Sequence, residues 1–156
     1  MDLHRRYGGV LYDRCLLILG DRAAAEDAVQ ETFFSAFRSW SSYRGGPDGH
    51  LPWLYSIATN ACRKTLRTQR RKGVQLVENL DEAVPVDPNP VEVIYSRQVL
   101  DRIAAQLDDR GFTIFVAHYV DGVDQTEIAR QLGLSRRAVV KRLTKLRQLL
   151  AEQREE

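Results

Sequence analysis

The sequence predicts an all-α chain of two small helical domains joined by a flexible linker. Three observations carry that expectation. Residues 124–147 spell a helix-turn-helix, apolar residues recur at helical spacing along three stretches of the first half, and a proline- and acid-rich run separates the halves. On this pattern the domains fall at 1–72 and 91–156, with the linker at 73–90.

The first stretch, residues 3–19, places Leu3, Tyr7, Val10, Leu11 and Leu17 or Ile18 along one stripe. Gly8 and Gly9 weaken it, by about 1 kcal/mol each in a helix interior. Gly20 stops it, and Asp21 caps a second helix that runs to about Trp40. There Ala25, Val29, Phe33, Phe37 and Trp40 form the expected core stripe. Asp27, Gln30, Glu31 and Phe34 lie on another side. An exposed Phe among carboxylates hints at a partner surface, although from this patch alone a slightly greasy solvated face is the preferred reading.

Residues 41–51 read as a loop, S-S-Y-R-G-G-P-D-G-H-L, after which Pro52 suits the first turn of a helix. That third helix buries Leu54, Ile57, Ala58, Ala61 and Leu66 and exposes Tyr55, Asn60, Arg63, Lys64 and Arg67. Aromatic and amide groups at one end of a basic helix are the ingredients for handling single-stranded bases, by stacking and by hydrogen bonds to base edges. They are equally the ingredients of an ordinary surface.

The linker contains V-P-V-D-P-N-P, a composition that builds no core. Asn89 and Glu92 around Pro90 signal a helix over residues 91–107, with Val93 or Ile94, Val99 or Leu100, Ile103 and Leu107 as its stripe. A helix over 109–120 follows, offering Ile114, Phe115 and Tyr119 and ending at Asp121-Gly122. Asp124 with Glu127 then makes a capping-box start. Ile128, Ala129 and Leu132 are the apolar edge of that helix, Gly133 supplies the permissive turn, and Leu134 plugs the corner. Ser135 caps the last helix, whose inner face is Ala138, Val139, Leu143, Leu146 and Leu149. Its other face carries Arg136, Arg137, Lys141, Arg142, Lys145 and Arg147 with no acidic residue. The second helix of such a motif normally enters the major groove.

Charge supports a polyanionic partner. The net charge is only +2 over 156 residues, yet 63–72 and 130–147 are basic without an acid, and 78–109 is mainly acidic. Two basic stripes around an acidic stretch suggest two contacts with one polyanion. Enzyme chemistry is not expected. His4, His50 and His118 are scattered, and neither a nucleophile–base constellation nor a phosphate loop is present. No cofactor or metal is expected either. Cys15 and Cys62 stand far apart in sequence, form no Cys-x-x-Cys or Cys/His ligand spacing, and are expected to be buried structural thiols rather than a disulfide. Without a signal peptide or long apolar run, a cytoplasmic protein with no membrane insertion of its own is expected.

Three blocks carry a family resemblance: A-E-D-A-V-Q-E-T-F-F-S-A-F-R, S-Y-R-G, and L-P-W-L-Y-S-I-A-T-N-A-C-R-K-T-L-R. They resemble region two of bacterial extracytoplasmic-function (group IV) sigma factors of the sigma-70 superfamily, and the helix-turn-helix resembles region four. The resemblance implies a specificity subunit that binds core RNA polymerase, directs it to promoters and helps melt them. By this resemblance Gln30 and Glu31 match the polymerase-docking surface, Asp27 one turn earlier is expected to belong to it, and Phe34 lies on the same exposed patch. Tyr43, Arg44 and Asn60 match the pocket for a base flipped from the minus-ten element. Trp53, Arg63, Lys64 and Arg67 match positions facing the promoter strands, the melted non-template strand among them. Ser135, Arg136, Arg137, Lys141, Arg142 and Lys145 match the reader of the minus-thirty-five duplex. Arg136-Arg137-Ala138, Val140 and Lys141 depart from the family's usual residues, so base preference there does not carry over. An anti-sigma factor is the regulator the resemblance implies. The rival expectation is a stand-alone regulator binding duplex DNA as a dimer, which leaves the Trp53–Asn60 block without a purpose.

Overall fold

The computed structural model describes residues 2–71 and 97–154. The chain separates into two units, one within residues 1–81 and the other within 82–156.

In the first unit α1 (Leu3–Leu19), α2 (Arg22–Ser39) and α3 (His50–Arg71) each pack on the other two. Local chemistry sets their ends. Asp2 Oδ1 accepts from Arg5 N at 3.0 Å, and Asp21 Oδ2 accepts from Ala24 N at 2.8 Å, so both helix starts have a side-chain cap. Short 3₁₀ turns, Trp40–Ser42 and Pro47–Gly49, join α2 to α3. The loop expected over 41–51 is therefore partly ordered into turns, and α3 begins at His50 with Pro52 in its first turn.

The stripe expected on α2 is corrected in its second half. Ala24, Ala25, Ala28, Val29, Thr32 and Ala36 are buried, whereas Phe33 is half-buried, Phe37 is 82% exposed and Trp40 is 44% exposed. The cause is geometric. Steps of four residues advance about 40° around a helix of 3.6 residues per turn, so a ladder from Ala25 to Phe37 drifts by about 120°. Alternating steps of three and four keep to the core, and those positions hold small residues that let the helices approach closely. Likewise Val10 and Leu17 of α1 are exposed, while Leu11, Cys15, Ile18 and Leu19 are buried. An apolar groove of about 330 Å³ opens beside Leu3, His4, Phe33, Ala36, Phe37 and Trp40.

One charged side chain belongs to the α1–α3 contact. Arg14 is buried, donates from Nη2 to Thr59 Oγ1 at 2.6 Å, and lies with its guanidinium 4.4 Å from the centre of the Tyr55 ring. Thr59 in turn donates to Tyr55 O at 2.9 Å. A buried cation is tolerated only with such partners.

The second unit holds α4 (Arg97–Gln106), α5 (Asp109–Phe115) running into a π-helical turn (Val116–Val120), α6 (Gln125–Leu132) and α7 (Arg136–Arg154). Its core contains Ile103, Phe112, Ile114, Phe115, Val116, Ile128, Ala129, Val139, Leu143 and Leu146. Asp108 caps α5, accepting from Gly111 N at 2.7 Å. In the π turn Asp121 N donates five residues back to Val116 O at 3.0 Å, and Val123 N donates to Ala117 O at 2.9 Å.

The helix-turn-helix is α6–α7. Asp124 Oδ1 accepts from Glu127 N at 2.9 Å, which is half of a capping box. The reciprocal half is absent because the Glu127 carboxylate instead accepts from Arg130 Nε at 2.9 Å and from Gln131 Nε2 at 3.2 Å. Gly133 turns the chain at φ 64°, in the left-handed region, and Leu134 N donates to Ala129 O at 2.9 Å. Ser135 Oγ then accepts from Ala138 N at 3.1 Å and starts α7. The expected linker over 73–90, the start signal at Asn89–Glu92, and the side chains of Val93, Ile94, Val99 and Leu100 lie outside the described residues.

Candidate nucleic-acid and partner interfaces

Asp27, Gln30, Glu31 and Phe34 form an exposed face of α2, since Gln30 and Glu31 side by side are each three or four residues from both Asp27 and Phe34, while the buried residues occupy the other side. Phe34 is 57% exposed, with the Arg38 guanidinium 4.7 Å from its ring centre. Phe37, expected in the core, extends this face: Gln30, Phe34 and Phe37 follow one another at helical spacing. The surface is a polar end with carboxylates running into an apolar end. That combination suits a protein partner better than a polyanion.

The turns after α2 build an aromatic corner. Tyr43 packs against Trp53 with ring centres 4.6 Å apart, against His50 at 5.3 Å and against Trp40 at 5.8 Å. The Tyr43 hydroxyl donates to Gly46 O at 2.7 Å, so its ring is held at both ends. Arg44 is exposed and donates from Nη1 to Ser41 O at 2.8 Å. A side chain at Gly45 would collide with the Tyr43 hydroxyl, and a Cβ at Gly49 would lie 2.6 Å from it, so close packing needs glycine at both places. Trp40 and His50 belong to this corner, although sequence reasoning placed the first in the core and left the second unassigned. The spacing of Trp40 three residues before Tyr43 was the available signal.

From this corner α3 runs outward with Trp53, Asn60, Lys64 and Arg67 on one stripe. Asn60, Lys64 and Arg67 are exposed, while Trp53 and Arg63 are half-buried. The structure brings Tyr43 to Trp53. Asn60 stands seven residues further along the helix, about 10 Å at 1.5 Å per residue. Tyr43 and Asn60 thus stand at Trp53 and about two turns beyond it on the same helix.

In α7, Arg136, Arg137, Lys141 and Lys145 are exposed. Ser135 is exposed too, with its hydroxyl oxygen engaged as the cap. Arg142 differs from the rest: it donates from Nη1 to both Asp108 oxygens, at 3.0 and 3.3 Å. The backbone N–H of Gly111 foremost, and then Arg142, hold the Asp108 carboxyl below the usual carboxylate range despite some desolvation. On α6, Arg130 and then Gln131 hold Glu127 down to about 2. Among the described residues no group of three or more His, Cys, Asp or Glu is placed to hold a metal ion, and no helix is long and apolar enough to cross a membrane.

Comparison with known proteins matches residues 3–72 to Sigma-70 region 2 and residues 97–150 to Sigma-70, region 4. The chain is 31% identical to the RNA polymerase sigma factor CarQ of Myxococcus xanthus, over 97% of this chain and 88% of that protein. It is 29% identical to the ECF RNA polymerase sigma factor SigE of Mycolicibacterium smegmatis, over 97% of this chain and 60% of that one. Across these and a further curated relative the chain spans between 34% and 88% of their length. Among solved structures it is similar to the sigma factor RpoE from Bartonella quintana, there in complex with the anti-sigma factor NepR. That match has a TM-score of 0.55 at 18% identity and covers 92% of this chain and 89% of that one, a likeness of fold.

Proposed function

The chain belongs to the extracytoplasmic-function sigma factors of the sigma-70 family, and from this we propose that it binds core RNA polymerase and directs it to specific promoters. It performs no chemistry itself. The observation that carries the reading is that one chain holds both units: a region 2 match with a mixed apolar–carboxylate face and an aromatic, basic one, and a region 4 match ending in a basic recognition helix.

Labour is divided between them. In the second unit Arg136, Arg137, Lys141, Arg142 and Lys145, with Ser135 at the helix start, hold the upstream duplex through phosphate contacts and major-groove readout. In the first unit Asp27, Gln30, Glu31 and Phe34 dock on the polymerase. Tyr43, Arg44, Trp53 and Asn60 receive the melted non-template strand of the minus-ten element, where every base offers a face for stacking. Arg63, Lys64 and Arg67 neutralise its phosphates. Capture of an unstacked base biases the promoter toward its open state, since a ligand that prefers one of two states shifts the population toward it. The site of action is cytoplasmic, and an anti-sigma factor that covers the same surfaces is the expected regulator. Run-off transcription with core polymerase and DNA from upstream of the protein's own gene tests the reading. Promoter-dependent transcripts are expected. Duplex binding without co-elution with core polymerase would instead make the chain a free-standing regulator.

A further inference from the structure

Cys15 and Cys62 come from different helices, are both completely buried, and are not joined in a disulfide. Beside them Arg14 of α1 donates to Thr59 of α3 and lies over Tyr55, so this turn of α1 packs against the turns of α3 that hold residues 55 and 59. Cys62 sits one turn beyond Thr59 on the buried side of α3, and its thiol donates a hydrogen bond to Cys15. A pair of buried cysteines in thiol contact is a different object from the two isolated core thiols that the sequence suggests.

We infer that Cys15 and Cys62 are a dithiol that a hydroperoxide converts into an intramolecular disulfide, tying α1 to α3 on the side of α3 opposite Asn60, Lys64 and Arg67. The Cys62 hydrogen bond holds the Cys15 thiol below its ordinary range, burial opposes this, and the Arg14 charge adds to the lowering. Cys15 is therefore the attacking sulfur. Its thiolate bonds to one peroxide oxygen and the other leaves as hydroxide or alkoxide, giving a sulfenic acid. Cys62, as thiolate, then attacks that sulfur, the S–S bond forms, and a hydroxide leaves. Two electrons pass from the sulfurs to the peroxide, and the two thiol protons end on the departing oxygens. Because neither thiol is exposed, peroxide enters by local opening that admits solvent while the two sulfurs stay adjacent, and the rate follows that opening. The tie acts on the helix that carries the proposed single-strand face, so its effect on promoter melting rests on the proposed function; the bond itself does not.

The test treats the full chain with hydrogen peroxide, quenches with catalase, denatures, and blocks remaining thiols with N-ethylmaleimide. Peptides are then read by mass spectrometry without reduction. The expected result is a linked peptide joining Cys15 to Cys62 in monomeric protein, two hydrogens lighter than the reduced pair and released by dithiothreitol. Cys15→Ser and Cys62→Ser should each abolish it. The reaction is repeated in urea just below the unfolding transition, where opening is frequent. Two alkylated thiols, or a sulfinic acid on either residue, under both conditions would overturn the inference. Run-off activity of the reduced protein is measured alongside. Loss of that activity would count against the proposed function while leaving the disulfide standing, and absence of the linkage would leave the transcription reading standing.

Discussion

Arg142 of the recognition helix is paired, at 3.0 Å, with the same Asp108 carboxylate that caps α5. To reach a phosphate, Arg142 must exchange this partner. The pair is exposed, with side chains 38% and 65% accessible, so the exchange costs about 0–1 kcal/mol. Asp108→Asn keeps a capping oxygen and removes the opposing charge. It should tighten low-salt binding of upstream duplex by up to about fivefold, with a small loss of stability as the charged cap and the Arg142 pair are removed. Arg142→Ala should lower the salt slope by about one unit. Fluorescence titrations across a salt series would check both, and an unchanged slope would show that Arg142 stays with Asp108 in the complex.

Acid should weaken the second unit. Glu127 is held down to about 2 by Arg130 and Gln131, below its ordinary range near 4.3. A depressed carboxyl stabilises the folded state fully above its unfolded value and loses that contribution as pH falls toward its folded value. Asp108 is shifted in the same direction by Gly111 and Arg142. Melting temperature should therefore fall between about pH 4.5 and 2. In Glu127→Gln that fall should be shallower, as circular dichroism melts at stepped pH would show.

Gln30→Ala with Glu31→Lys should abolish co-elution with core polymerase. Both residues are exposed, so helicity and melting temperature should stay close to wild type. Gel filtration with core polymerase, beside a thermal melt, separates the two effects; normal co-elution would remove the docking assignment.

Asn60→Ala should leave closed complexes intact and reduce open ones, most at one base of the minus-ten element. The loss expected for a base-edge contact is about 1–3 kcal/mol of discrimination. Placing a mismatch at that base should rescue only part of the defect. Permanganate footprints would report it, and wild-type melting would make Asn60 a plain surface residue.

Neighbouring glycines should behave oppositely. Gly45→Ala drives a methyl group into the Tyr43 hydroxyl, whereas at Gly46 a Cβ would meet nothing within 4 Å. The first should free the Tyr43 ring, at a cost of about 1 kcal/mol for the lost Gly46 hydrogen bond, and change tryptophan emission from Trp40 and Trp53. Gly46→Ala should be silent in the same spectra.

Helix ends were legible in the sequence because their causes are local. Asp21, Asp124, Gly133 and Ser135 act on backbone groups within a few residues, and each does so where the pattern predicts. The two ladders on α2 were harder to tell apart, since Phe33 and Phe37 are apolar enough for a core and only the small residues Ala28, Thr32 and Ala36 reveal the buried side. Pairs distant in sequence were invisible. Arg14 and Thr59 are 45 residues apart, Asp108 and Arg142 are 34 apart, and no periodicity links them. The candidate surfaces were readable as residue types on helix faces. Their division into a Tyr43–Trp53 corner and a distant Asn60 was not, because it depends on how the loop folds back.

The π turn at Val116–Val120 keeps an extra residue inside a helix, held by a bond that reaches five residues instead of four. Deleting Ala117 could let the ladder close as an ordinary α-helix, so a gain or loss of one residue can be absorbed there without opening the core. Between α6 and α7 no such tolerance exists. One residue added beside Gly133 would advance the recognition helix by about 100°, swinging Arg136, Lys141 and Lys145 off their face. Length variation among relatives should therefore collect before Asp121-Gly122 and stay out of the turn at Gly133.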